Sequence, residues 1–261
     1  MRSSILFFLG AIWLAFAARA DEPMATPPAD DPFAGTPGPL AEAVRGFAKD
    51  ANRWAFTEDY IEFDKKGAVK SRRRARFDPS QHYDVQWTML EKDGRAATEA
   101  EQTKFRKARA KEAQRGRKTL GELLDLARAT ELAGAADATV IVYEVPLHKL
   151  EDSKFPPEKF QAFVRVTRAD HQLKSVEVRL REKLRVALVV GLKAAEGRLD
   201  FERVLPEAGP AVTKVVATGS ASVFFVPLNA HVEITRSEQK RVTPYDDRFV
   251  VKPGPLRTID F

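Results

Sequence analysis

Phe224, Val226, Leu228, Ala230, Val232 and Ile234 stand at every second position, with Asn229, His231 and Glu233 between the last four. A two-residue apolar period matches a strand with one buried face and matches no helix. The same period recurs along the chain. Tyr83, Val85, Trp87 and Met89 alternate with Asp84, Gln86 and Thr88, and Phe160, Ala162, Val164 and Val166 alternate with polar partners. Val176, Val178, Leu180, Leu184, Val186, Leu188 and Val190 keep one parity over a longer span. Residues 54–64 and 69–78 flank Lys65-Lys66-Gly67, a hairpin turn, and Asp93-Gly94 turns the chain again. Lys174 to Arg181 pairs back across Ala169-Asp170-His171, and Val140 to Val145, Arg198 to Val204 and Val212 to Ala217 add further strands. The pattern predicts an α+β fold: a curved antiparallel sheet, or half-barrel, of about nine to ten strands whose concave face is covered by helices.

Two regions carry helical spacing instead. Leu40, Ala43, Val44, Phe47 and Ala51 predict an amphipathic helix over 39–52, with Pro39 near its start. An insert at about 98–134 holds two capping-box patterns, Thr98/Glu101 and Thr119/Glu122. They open a strongly charged helix over about 99–115, with Phe105 on its thin apolar seam, and a second over about 120–133 that ends at Gly134.

The first 20 residues read as a cleavable signal peptide. Arg2 is followed by the apolar stretch Ile5 to Phe16 and then by Ala18-Arg19-Ala20, a small-x-small cleavage pattern before Asp21. The apolar stretch is shorter than the roughly 20 residues that a spanning helix needs, and the best later run, Val186 to Leu192, has strand length. Cleavage after Ala20, a periplasmic location and no transmembrane segment after cleavage are therefore expected. Residues 21–38, rich in proline, form a linker, and 39–261 form one domain. A chain of this size can be stable without disulfides, and it contains no cysteine. Its net charge of +6 includes Arg2 and Arg19 and is mild, and no nucleic-acid partner is expected.

Catalytic signatures are missing. The chain has no G-x-S-x-G, H-E-x-x-H, P-loop or G-x-G-x-x-G. His82, His148, His171 and His231 lie in separate segments without ligand spacing. A non-catalytic protein with no cofactor and no metal is expected. Two groups of residues remain. Lys70, Arg72, Arg74 and Arg76 are expected to share one strand face, opposite Glu58, Asp59, Glu62 and Asp64 on the hairpin partner. They read either as solvated cross-strand ion pairs or as a contact patch for an acidic envelope partner. Trp54, Phe56, Trp87, Met89, Val164, Val178, Val186, Phe224, Val226 and Leu228 are expected to face one apolar space beneath the helix at 40–51. Periodicity does not separate an open, ligand-accepting space from a filled core.

Several segments carry a resemblance. They are the signal peptide, the Leu40 to Ala51 helix, and Arg53-Trp54-Ala55-Phe56 opening a strand. Arg76-Phe77-Asp78-Pro79-Ser80 closes the hairpin, and Trp87 to Gly94, Ala97 to Glu101 and Phe105 lead into the insert. In this arrangement the chain resembles the LolA-like superfamily of periplasmic lipoprotein carriers over most of residues 40–251. The resemblance implies that the chain binds a lipid or lipoprotein acyl chain in a half-barrel cavity without catalysis. The alternative is an envelope scaffold with a filled core and basic contact patches. The charged insert around 99–118 is longer than a standard carrier of that superfamily has.

Overall fold

The computed structural model describes residues 33–114, 118–135, 137–149, 156–186, 190–223 and 226–249. Twelve strands form one antiparallel sheet, curved and not closed into a barrel. They are β1 (Trp54–Phe63), β2 (Val69–Phe77), β3 (Trp87–Lys92), β4 (Arg95–Ala96), β5 (Thr130–Glu131) and β6 (Val140–Val145). Then come β7 (Phe160–Thr167), β8 (Leu173–Leu180), β9 (Leu184–Val186), β10 (Val190–Glu202), β11 (Ala211–Val223) and β12 (Val226–Arg241). The order across the sheet is β4-β3-β2-β1-β12-β11-β10-β8-β7-β6-β5, and β9 pairs with β10. The count exceeds the expected nine to ten through the short strands β4, β5 and β9, too brief to show a period. The α-helices among the described residues are α1 (Gly38–Asp50), α2 (Glu99–Gln114) and α3 (Leu120–Leu123).

Cross-strand partners define rows on the helix-covered face. One row runs Arg73, Tyr60, Ile234, Val215, Leu199, Val176, Val164. The next runs Ser71, Glu62, Val232, Ala217, Gly197, Val178, Ala162. Leu40, Ala43, Val44 and Phe47 of α1 bury their apolar stripe on the first of these rows, in a cluster with Tyr143, Val164, Val176, Leu199, Val215 and Ile234. Phe105 of α2 covers a second cluster of Trp54, Phe56, Ala75, Phe77, Trp87 and Met89. Leu184, Leu192 and Ala221 form a third, smaller cluster.

Helix α1 is fixed at its C-terminal end by a buried carboxylate. Asp50 accepts hydrogen bonds from the Gly209 N–H (2.9 Å) and from Arg241 Nε (3.0 Å) and Nη2 (2.6 Å). Burial opposes its ionisation, but these bonds and the Arg241 charge outweigh that and hold its pKa below the ordinary carboxylate value. The loop between β10 and β11 crosses α1 closely. A Cβ on Gly209 would stand 2.0 Å from the Gly46 carbonyl oxygen. Arg241 reaches α1 because β12 carries an irregularity at Glu238, whose φ is 51°. The irregularity moves Gln239 and Arg241 to the helix-covered side, which an unbroken alternation from Val226 would place on the other.

The second insert helix and the strand at Tyr83 differ from the sequence expectation. The second insert helix stops at Leu123 instead of about 133. Its capping box at Thr119 and Glu122 forms, but Leu124 is extended and bridges to Leu147, and Asp125 N–H donates to the Pro146 carbonyl. Pairing with the sheet edge overrides the helical spacing of Leu123, Leu124 and Ala127. The strand expected from Tyr83 begins at Trp87, and residues 83–85 form a turn of 3-10 helix behind His82, whose ring accepts from Asp84 N–H. The helix over 99–114 and its Thr98–Glu101 box are present.

Candidate functional site

Of the ten residues expected to line one space, six lie beneath two different helices. Trp54, Phe56, Trp87 and Met89 pack under α2 around Phe105. Val164 and Val178 pack with the α1 cluster. Leu228 is half-buried on β12, opposite Ala221. Val186 and Val226 take their places in the ladder opposite Val190 and Val223, and Phe224 lies outside the described residues. Strand parity fixes the side of the sheet but not the position along it, so one face is divided between two lids.

Between the two apolar clusters lies a group of charges. Glu58, 2% exposed, shares the parity of Trp54, Phe56 and Tyr60. Its Oε1 accepts from Arg109 Nη2 of α2 at 2.8 Å, and its Oε2 stands 3.6 Å from Arg236 Nη2 of β12. Burial opposes the charge on Glu58, but Arg109, Arg236 and Arg73 outweigh it and hold its pKa below the usual value. Each guanidinium covers an aromatic ring: Arg109 stands 4.3 Å from the Trp87 centroid, Arg236 4.2 Å from Phe56, and Arg73 4.0 Å from Tyr60. Glu58 was expected on the other face, beside Asp59. Adjacent strand residues cannot share a face, and Glu58 follows the parity of its aromatic neighbours. That parity was the available signal for it; nothing in the sequence placed Arg109 and Arg236 beside it.

Arg73 differs from the other two. It is half-buried between the rings of Tyr60 and Phe105, at 4.0 and 5.6 Å, and its guanidinium has no hydrogen bond or direct ion pair with the described residues. Burial lowers its pKa, and the nearby Arg109 charge adds to this. The Nε of Arg236 is buried and also lacks a partner among the described residues. The surrounding charges are Arg73, Arg109, Arg236 and Lys70 against Glu58, Glu62 and Glu112, with Lys70 paired to Glu62 and Glu112 accepting from Arg109 at 3.1 Å. Glu58 and Glu112 act on Arg73 only at longer range, and its guanidinium has no direct ion pair among the described residues.

Next to this group the face changes character. The row that holds Ala217 and Gly197 and the row that holds Ala195, Gly219 and Ala230 carry small side chains. Ala217, Gly219 and Ala230 are half-exposed and belong to none of the three apolar clusters. Gly197 is buried between its neighbours, and Val232 and Leu180 flank the strip at the edges of clusters.

Arg72, Arg74 and Arg76 face away from the helices. Arg72 pairs with Asp59 at 3.4 Å, Arg74 with Asp59 at 4.0 Å and Glu238 at 3.8 Å, and Arg76 with Glu238 at 3.9 Å. Lys70 departs from this set. Its partner is Glu62, beyond the irregularity between Glu62 and Phe63 where β1 and β2 shift register. Farther along the same outer side, Glu177 is buried between Arg165 and Arg179. No described helix is long and apolar enough to cross a membrane.

No protein-family model matches the chain. No curated protein sequence matches it either. Among solved structures, the chain is similar to a LolA superfamily protein, NE2245, from Nitrosomonas europaea, with 12% sequence identity and a TM-score of 0.38, over 82% of this chain and 96% of that one.

Proposed function

We propose that the protein is exported to the periplasm and binds the acyl chain of a lipid or lipoprotein on the helix-covered face of its sheet, without catalysing a reaction. The observation that carries this reading is the strip at Ala217, Gly219 and Ala230. It lies on the same side as the buried core yet stays half-exposed and outside the packed clusters. Apolar surface of this kind beside a rigid core is a place for an apolar ligand. The aromatic cluster under α2 is filled by Phe105, so the ligand is assigned to the strip and not to Trp54, Phe56, Trp87 and Met89. A non-catalytic role is supported by the buried carboxylates. Asp50, Glu58 and Glu177 are each held by arginines and tie elements together. The signal-peptide pattern in residues 1–20 supports export.

Native mass spectrometry of the protein purified from the envelope of its own cells tests the reading. A bound mass that organic extraction releases as a lipid is expected. If no such mass appears, and the delipidated protein does not bind a fluorescent fatty acid, the reading fails.

A further inference from the structure

We infer that Arg73 receives the anionic headgroup of a single-chain amphiphile, a fatty-acid carboxylate or an alkyl phosphate, whose tail lies along the strip at Ala217, Gly219 and Ala230. The inference rests on the acyl-binding reading above and adds the chemistry of the ligand's other end.

A guanidinium carries five N–H donors and keeps its charge. Arg73 is half-buried against two rings, and none of its donors meets a hydrogen-bond acceptor of the described residues. The nearby carboxylates are already engaged. Both oxygens of Glu58 face Arg109 and Arg236, Glu112 accepts from Arg109, and Glu62 is held by Lys70 and by Ser71. An anion from outside would give Arg73 a direct partner, and a planar carboxylate or a phosphate can accept two N–H bonds from one guanidinium. The rings of Tyr60 and Phe105, 4.0 and 5.6 Å from its Cζ, already confine the guanidinium, so less side-chain freedom is lost when the anion arrives.

The geometry joins this site to the strip. Arg73, Tyr60 and Ile234 lie in one row. Val232 and Ala230 follow two and four residues along β12, which places their rows about 7 and 13 Å from that of Arg73. Arg73 is also two strands, about 10 Å, across the sheet from β12 and three from β11, so a straight chain anchored there runs diagonally past Val232 and Ala217 toward Ala230 and Gly219. A larger side chain at Ala217 would block the path.

The test compares palmitate with hexadecanol, which has the same chain length and no charge, on the delipidated protein. Calorimetric titrations are repeated with Arg73→Met, Arg73→Lys and Ala217→Phe. Palmitate should bind tighter than hexadecanol by about tenfold or more, the scale of one charge-assisted hydrogen bond. Arg73→Met should erase that ratio, weakening palmitate far more than hexadecanol, while Arg73→Lys keeps part of it. Ala217→Phe should weaken both probes alike. Equal affinity of the wild-type protein for the two probes overturns the headgroup site and leaves acyl binding standing, as does a ratio that Arg73→Met does not change. Should Arg73→Met fail to fold, the wild-type ratio and its persistence in Arg73→Lys decide the matter. If neither probe binds, acyl binding itself fails and the headgroup site falls with it.

Discussion

A glutamate with 2% of its surface exposed, between Arg109 and Arg236 and near Arg73, stabilises the fold in a way no surface glutamate does. Removing it leaves buried guanidiniums without their counter-charge. Glu58→Ala should therefore cost about 3–5 kcal/mol in urea unfolding, the range for breaking a buried ion pair from one side. The same residue sets an acid limit. The folded-state pKa values of Glu58 and Asp50 lie below their ordinary values of 4.5 and 3.8. Their stabilisation is thus fully present above the unfolded pKa and is lost as pH falls through the folded pKa. The unfolding midpoint should stay nearly flat from pH 8 to about pH 5 and fall below about pH 4. In Glu58→Ala the acid fall should be shallower. An identical acid limb in both proteins would show that Glu58 is not the titrating group.

At the scale of elements, α1 lies where the β10–β11 loop and Arg241 hold it. Gly209→Ala drives a methyl group into the Gly46 carbonyl, a backbone atom that can yield only if helix or loop moves. We expect a loss of about 1–3 kcal/mol, the range for overpacking, measured by thermal unfolding. Gly46→Ala serves as the control, since a Cβ there meets nothing within 4 Å. Equal melting temperatures for the two variants would mean that the loop does not rest on α1. The elements also show how far the sequence could be read. Alternation revealed the strands from Phe160 to Thr167 and Leu173 to Leu180, and the cap at Thr98 revealed α2, because these signals are local. The division of the apolar face between α1 and α2 was not legible, because periodicity holds no information about which row a helix crosses. Nor was the end of α3, since the bridge from Leu124 to Leu147 joins segments that only the folded sheet brings together. Of the candidate site, the apolar face was readable from parity, whereas Arg73 was hidden among neighbours of like charge. Its role depends on facing Tyr60 while Arg72 and Arg74 face Asp59.

At the scale of the whole molecule, the export reading makes a direct statement about the mature chain. N-terminal sequencing of the protein from the periplasmic fraction should begin at Asp21, and a retained Met1 would sink the signal-peptide reading. Export also meets the sheet order in an instructive way. Strand β1 pairs with β12, and Thr57 and Glu238, which share a hydrogen bond, are 181 positions apart. Until β12 is in place between them, the β1–β4 segment and the β5–β11 segment each expose an unpaired strand edge to the surrounding water. Sheets closed by such distant pairings fold slowly, on a timescale of milliseconds to seconds. If the chain is exported as proposed, it passes through an interval in which its two half-sheets can join strands from another copy instead of each other, and its yield should then depend on chaperones of that compartment that shield those edges.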